Sequence, residues 1–200
     1  MSLRMTVARI VSTPAPAPEH NLAGTSGHVV VGAEVSSQTL TRELRNQLDG
    51  WVSRIPDCLD WSVEPGNGAS SPPAKRLKLL YWFARFALYR PLILRVQQDP
   101  SLRLQNFEWS LLHEGLLSAL TLAKVFLTEE PDVDVIEGNR ILSAIYALKA
   151  MTSTRSLLAL YGQNLDQIVQ AAMDALRTRF ADRCEWLLCK IYQIDLVNGS

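Results

Sequence analysis

Cysteine, histidine and net charge are all scarce in this chain of 200 residues. It has three cysteines and three histidines, and its 20 lysines and arginines balance 20 aspartates and glutamates. Cys184 and Cys189 stand in a C-x4-C spacing rather than the tight pair of a structural zinc site. We therefore expect the cysteines to be free thiols, and we expect no metal site. Free thiols are typical of reducing compartments, here the nucleus or the cytoplasm. A balanced charge leaves no electrostatic footprint for direct binding of nucleic acid.

The motifs of the common enzyme classes are missing as well. His113 and Glu114 begin like the H-E-x-x-H motif of zinc hydrolases, but position 117 is leucine. The chain contains no G-x-S-x-G elbow and no G-x-G-x-x-G nucleotide-binding loop. The sequence therefore predicts neither a metal site nor a cofactor.

A long apolar run from Leu79 to Val96 is the most prominent feature that is present. It carries Arg85 and Arg90, and Pro91 follows directly. In a membrane span each arginine would cost about 2.5–3.5 kcal/mol at hydrocarbon depth. We therefore predict a buried helix in a soluble bundle without membrane contact, and Pro91 marks a kink or the end of that helix.

The composition changes between residues 1–35 and residues 36–200. Prolines and glycines make residues 1–35 typical of a flexible arm, in which His28–Val31 is a candidate short strand without a partner. From Ser36 onward, apolar residues recur every three or four positions. This pattern predicts an all-α fold, a single irregular bundle of about six helices behind a flexible N-terminal arm.

The periodicity also predicts where the helices lie. The first begins near Ser36 and ends at Pro56, and a loop at Glu64–Pro73 separates it from the apolar run. Three further helices are predicted at 107–127, 139–151 and 164–180, and a last one at 182–194. Asn106 is a candidate cap, and Asn164 with Gln167 is a variant of the capping box. The side chains of the last helix that we expect to face inward are Trp186, Leu187, Ile191 and Ile194.

Two segments carry a resemblance to a known family. They are "LRNQLDGWVSRIPDCLDW" and, after a polar loop, "LKLLYWFARFALYRPLIL". Together they resemble the fungal-specific transcription factor domain, the regulatory middle region of fungal binuclear zinc cluster regulators, over about residues 40–180. The positions that match the first pattern of the family are Leu48, Trp51, Ile55, Pro56, Leu59 and Trp61. The positions that match the second are Leu77, Leu79, Tyr81, Arg85, Leu88, Tyr89, Arg90, Pro91 and Leu92.

The chain departs from this family in two ways. It lacks the six closely spaced cysteines of the DNA-binding module, and it lacks the N-terminal half of the regulatory region. The resemblance implies the C-terminal half of a transcription regulator that does not bind DNA through a zinc cluster. It further implies a nuclear or cytoplasmic protein that acts in fungal, including secondary, metabolism.

Arg85 has two interpretations. It shares a helix face with Tyr81 and Tyr89, which lie four residues before and after it. In the structural interpretation Arg85 is buried and paired with an acid, for which the candidates are Glu108, Glu114 and Asp57. Arg90 then bonds carbonyls that Pro91 frees. In the functional interpretation a cavity between helices binds a ligand, and its lining residues are Tyr81, Trp82, Arg85, Tyr89, His113 and Tyr146.

Two function hypotheses follow. The first is a non-enzymatic, transcription-factor-like regulatory domain that binds a small apolar effector, a protein partner or a second copy of itself. The second is a stand-alone, metal-free cyclase or dehydratase that acts on an apolar metabolite in the inter-helix pocket. In that enzyme His113 and Tyr89 would donate protons and Arg85 would stabilise developing negative charge.

Overall fold

The computed structural model of the chain describes residues 29–56, 59, 71–99, 101–129, 131–152 and 164–198. Within these ranges the fold contains six helices and no strand, so the predicted all-α bundle is confirmed. In chain order the helices are α1 (Val29–Val52), α2 (Pro72–Gln98), α3 (Asn106–Glu129), α4 (Val135–Thr152), α5 (Leu165–Phe180) and α6 (Glu185–Asn198).

Helix α1 starts earlier and ends earlier than predicted. Val29–Val31 belong to the helix, so the expected strand is wrong at these positions, and residues 1–28 of the predicted arm lie outside the described residues. No proline interrupts residues 29–52, and its two glycines, Gly32 and Gly50, each cost a helix only about 1 kcal/mol. The helix ends at Val52, where tight turns bond Arg54 N to the Trp51 carbonyl and Ile55 N to the Val52 carbonyl, both at 3.1 Å. Ile55 stands directly before Pro56, and a residue before proline is disfavoured in helical conformation. The helix therefore ends before the proline.

Helix α2 begins at a capped end and continues through its internal proline. The Ser71 hydroxyl accepts a hydrogen bond from Ala74 N at 3.4 Å, and prolines fill the first helical positions. The predicted loop therefore stops at Ser71, and its residues 64–70 lie outside the described part of the chain. Pro91 does not end the helix, which continues to Gln98. Proline removes only one backbone hydrogen bond, and burial of neighbours such as Leu88 and Ile93 holds the helix together.

Helix α3 lies at the centre of the bundle. It packs against α2, α4 and α5, while α6 covers α4 and α5, and α1 packs on α2. Gly115 lets α3 approach α2 closely, because a Cβ at this position would stand 2.7 Å from the Tyr89 Cβ. Gly138 does the same for α4, where a Cβ would lie 2.7 Å from the ring of Phe180. The two close approaches fix how α2, α4 and α5 surround the core.

Among the described helices, α3 is the one long and apolar enough to cross a membrane by length and composition. Of its most apolar stretch, 56% is buried inside the protein. Leu112, Leu116, Leu122 and Phe126 are each at most 1% exposed. A core helix of a soluble bundle has this burial pattern.

The helix ends confirm some of the predicted details and correct others. Asn106 is the first helical residue rather than the cap, and the backbone N–H of Gln105 before it donates to Glu108 Oε2 at 2.9 Å. At the start of α5, Asn164 makes no side-chain capping bond, so the predicted Asn164–Gln167 box is not formed. In α6, Leu187 and Ile191 are buried as expected, but Trp186 is 52% exposed. The side chain of Ile194 lies outside the described ones.

Candidate functional site

The site begins with one face of α2. Tyr81, Arg85 and Tyr89 follow one another at four-residue spacing, and Arg85 Nη1 donates to the Tyr81 hydroxyl at 2.9 Å. The Tyr89 hydroxyl donates to Glu114 Oε2 of α3 at 2.7 Å. The tyrosines are buried, while the Arg85 side chain is 20% exposed. The predicted common face of these three residues is confirmed.

Carboxylates from two other helices neutralise Arg85. Asp49 of α1 lies 3.5 Å from Arg85 Nη1, and Glu114 of α3 lies 3.7 Å from Arg85 Nη2. Arg45 of α1 completes the set, since its Nη1 stands 3.0 Å from Glu114 Oε1 and its Nε stands 3.8 Å from Asp49 Oδ2. Two guanidinium groups and two carboxylates thus alternate across the joint of α1, α2 and α3. We call these four residues together with Tyr89 the joint network.

The sequence predicted one partner of Arg85 and missed two members of the network. Glu114 was among the three candidate acids and is confirmed, whereas Glu108 lies 3.7 Å from Arg95 instead. Asp57 lies outside the described residues. Arg45 and Asp49 were missed, although each directly follows a leucine of the apolar stripe of α1 and their spacing of four is a helical pair.

The network shifts the pKa of two of its members. Burial alone would lower the pKa of Arg85, but its hydrogen bond to Tyr81 and the charge of Asp49 raise it overall. Burial raises the pKa of Tyr89 well above its ordinary value of 10.0, and the hydrogen bond to Glu114 raises it further. Tyr89 is therefore a neutral donor at physiological pH, and Arg85 is a permanent cation.

Aromatic rings of α1 and α2 pack beside Arg85. Trp51 stacks on Tyr81 with the ring centroids 6.3 Å apart, and Trp82 meets Tyr81 edge-on at 5.2 Å. The Arg85 guanidinium lies 5.8 Å from the centroids of both Tyr81 and Trp82, within the range of cation–π attraction. The Trp82 Nε1 atom is buried and has no acceptor among the described residues.

The remaining predicted site residues lie elsewhere. His113 is exposed on α3, and Tyr146 is 41% exposed on α4. Arg90 is exposed on α2 and forms no ion pair or hydrogen bond with described residues, so its predicted role as a clamp on freed carbonyls is wrong. The carbonyls of a helix point along its axis, away from the side chains of the same helix. The long side chain of Arg90 therefore extends into solvent, where water hydrates its guanidinium. The structure joins Tyr81, Trp82, Arg85 and Tyr89 but does not bring His113 and Tyr146 to them.

A surface cleft of about 500 Å³ lies at the opposite end of the bundle. Arg179 of α5 lines the cleft, donates to the Pro131 carbonyl and lies 4.9 Å from the centroid of the Phe126 ring. Its guanidinium is thus already engaged within the protein. The lining residues are Pro131, Asp132, Val133, Thr178, Arg179, Asp182 and Arg183.

Within the described ranges, no three histidine, cysteine or acidic side chains cluster as a metal site would require. Cys184 and Cys189 are both free thiols, and Cys58 lies outside those ranges. The joint network offers cations, carboxylates and a tyrosine hydroxyl that are all engaged with one another. Its chemistry is that of charge pairing among α1, α2 and α3.

Comparison with protein-family models, with curated proteins and with solved structures finds no match to this chain.

Proposed function

We propose that this protein is a non-enzymatic regulatory domain of the kind found in fungal zinc cluster regulators and that it acts in transcription. The observation that carries the proposal is an exposed apolar surface on two adjoining helices. Ile136 of α4 is 64% exposed and Trp186 of α6 is 52% exposed. Aromatic and aliphatic anchors of this kind mark surfaces that bind partner proteins.

One lysine joins the two parts of this surface. Lys190 Nζ lies 4.1 Å from the centroid of the Trp186 ring and 3.4 Å from Asn139 Oδ1. Ile136 precedes Asn139 by three residues, so it projects from the same face of α4. We call Ile136, Asn139, Trp186 and Lys190 the α4–α6 surface. An exposed tryptophan in contact with a lysine, on a surface that also exposes an isoleucine, suits a protein partner better than a small polar ligand.

The enzymatic alternative has no such support among the described residues. A cyclase or dehydratase required His113 and Arg85 to point into one cavity, with Tyr89 as a second proton donor. His113 lies at the surface, Arg85 pairs with Asp49 and Glu114, and the raised pKa of Tyr89 opposes its ionisation. A partner-binding role therefore fits the geometry better.

The proposal is tested by tethering the full chain to a heterologous DNA-binding domain in a fungal host that carries a reporter gene. We expect the fusion to change reporter transcription relative to the DNA-binding domain alone. The paired change Ile136→Ala and Trp186→Ala should abolish most of this effect, because truncating an interface tryptophan costs about 2 kcal/mol or more, roughly thirtyfold in affinity.

Trp109→Ala is the matched control. Trp109 is 41% exposed on α3, outside the α4–α6 surface, so its removal should leave the reporter effect intact. Reporter output that equals that of the DNA-binding domain alone, in both an activation and a repression format, would contradict the proposal. Equal losses from the paired change and from Trp109→Ala would contradict the assignment to α4 and α6.

A further inference from the structure

Helix α1 lies antiparallel to α2, and this direction follows from three contacts. Arg45 reaches Glu114, which also holds Tyr89, Asp49 reaches Arg85, and Trp51 stacks on Tyr81. From Asp49 to Trp51 of α1, the contacted residue of α2 falls from Arg85 to Tyr81, and Arg45, earlier in α1, meets the same Glu114 that accepts from Tyr89. The contacts of α1 therefore form a linear row that another helix of the same direction could reproduce.

The contacting face of α1 combines leucines with charges of opposite sign. Leu44 and Leu48 are 2% and 1% exposed, and each is followed by a charged residue, Arg45 and Asp49 respectively. One helical turn separates the two pairs. The receiving groove is complementary, because it presents Glu114 to the first charge and Arg85 to the second. A helix with the opposite order of charges would place like charges together, which destabilises binding.

Helix α1 is the least integrated element of the described bundle. Its main neighbour is α2, whereas each of the other five helices packs against at least two further helices. Helices with few tertiary contacts open at low free energy.

The ion pairs of α1 are partly solvated. The side chains of Arg45 and Asp49 are 41% and 48% exposed, while their partners Glu114 and Arg85 are 22% and 20% exposed. Pairs of this kind contribute little net free energy and are screened by salt. They set the direction and register of the helix more than its affinity, which is what an exchangeable contact requires.

We propose that α1 is a displaceable helix that occupies a helix-binding groove on α2 and α3. The partner that displaces it is an amphipathic helix of another protein with the order Leu-Arg-x-x-Leu-Asp. This groove lies apart from the α4–α6 surface, so the inference goes beyond the proposed regulatory role. While α1 is docked the groove is closed, and binding of the partner helix releases α1.

The test uses the purified full chain and a fluorescein-labelled peptide of residues 36–54, with binding followed by fluorescence anisotropy. The peptide should bind the unaltered chain weakly, because the chain's own α1 competes for the groove. It should bind a full chain that carries Leu44→Ala and Leu48→Ala at least about tenfold more tightly, since a larger fraction of the grooves is open.

A peptide with the charges exchanged is the matched control. It carries Arg45→Asp and Asp49→Arg, keeps the same composition, and should bind at least about tenfold more weakly than the native-order peptide. A full chain with Arg85→Glu and Glu114→Arg should reverse this preference. If that chain does not fold, the two peptides still give a decisive comparison on the Leu44→Ala, Leu48→Ala chain.

Hydrogen exchange of the unaltered chain provides an independent measurement. We expect the amides of residues 44–51 to exchange much faster than those of α3. Equal binding of the two peptides, no tighter binding to the Leu44→Ala, Leu48→Ala chain, or equal protection of α1 and α3 would each overturn the inference. Release of a small apolar molecule from the purified chain without any peptide binding would also overturn it. All these measurements are made without transcription, so their outcome is separate from that of the reporter assay.

Discussion

Arg85 shows at the level of one residue how the apolar helix α2 accommodates a charge. Removing a guanidinium from water is unfavourable unless acids and hydrogen-bond acceptors surround it. Tyr81, Asp49 and Glu114 supply these contacts from three helices. Glu114 in turn accepts the Tyr89 hydroxyl, so a single glutamate links Arg45, Arg85 and Tyr89. Each member of the joint network is stabilised mainly by its neighbours.

Tyr89 gives a prediction about alkaline pH. Its folded-state pKa is raised above the value of about 10 expected in the unfolded chain. The neutral phenol therefore contributes stability that is fully present below about pH 10 and is lost as the pH rises further. We expect the free energy of unfolding to fall above pH 10, and Tyr89→Phe to flatten that fall while costing about 1–2 kcal/mol at pH 7. Urea titrations at several pH values measure both effects.

Tyr146→Phe is the control for this prediction. Tyr146 is 41% exposed, so its replacement should preserve both the stability at pH 7 and the alkaline fall. A Tyr89→Phe variant that shows the same alkaline fall as the unaltered chain would contradict a role for Tyr89.

The sequence predicted the face of Arg85 and one of its partners, but not the whole network. The face follows from helical periodicity, which is local. The identity of the acids depends on the direction in which α1 packs, and residues far apart along the chain decide that direction. His113 was predicted to line a cavity with Arg85, yet adjacent residues of a helix project about 100° apart, so His113 is exposed while its neighbour Glu114 meets Arg85.

At the level of elements, the starts of α4 and α5 carry similar capping signals in the sequence, but only the start of α4 forms a capping box. At α4, Asp134 Oδ1 accepts from Glu137 N at 2.8 Å, and Asp134 N donates to Glu137 Oε2 at 3.1 Å. This is a complete capping box, and Arg76 Nε of α2 donates to Glu137 Oε1 at 2.6 Å. At α5, the amide of Asn164 makes no equivalent bond.

We predict that the two caps respond differently to substitution. Asp134→Ala removes a capping bond and a contact of 2.9 Å with Arg76, so it should lower the free energy of unfolding by about 1–2 kcal/mol. Asn164→Ala removes no side-chain capping bond, so its effect should stay within about 0.5 kcal/mol. Thermal or urea denaturation compares the two variants. Equal losses would show that the side chain of Asn164 caps α5 in solution.

This difference between the two helix starts could not be predicted from the sequence. Both starts carry a capping residue followed three positions later by a glutamate or glutamine. Arg76 selects the box at α4, because its guanidinium holds Glu137 in the capping position from another helix. The described contacts show no such partner for Gln167, which is exposed.

The burial pattern of α3 determines how the molecule behaves as a whole. This helix contacts three others, and its side chains alternate between the core and a solvent-facing strip that contains Leu117. Unfolding it would expose the apolar faces of α2, α4 and α5 together. The described bundle from α2 to α6 therefore should unfold as one cooperative unit.

Two leucines of α3 test this organisation with the same chemical change. Leu122 is 0% exposed and Leu117 is 45% exposed. We expect Leu122→Ala to lower the free energy of unfolding by about 3–4 kcal/mol through lost burial and a cavity. Leu117→Ala should change it by about 0.5 kcal/mol or less, since alanine also favours the helix. Denaturation curves give both values, and similar losses would contradict the orientation of α3.

The sequence by itself determined the helical class of the protein and most of its apolar stripes. These depend on the spacing of residues within about two helical turns, which any single segment contains. The start and stop signals in the sequence predicted most described helix ends to within a few residues of their observed positions. The exceptions are α1, α2 and the start of α4. Burial of Leu44, Leu48, Leu187 and Ile191 followed from the same local rule.

Only the tertiary structure decided which polar groups meet and which apolar side chains stay exposed. Trp186 belongs to a helix whose apolar residues occur on nearly all sides, and the positions of α4 and α5 determine which of them are covered. In the same way, Arg85 obtains Asp49 because α1 runs antiparallel to α2. Pairing and exposure are properties of surfaces built from distant segments, and no local pattern encodes the contact between such segments.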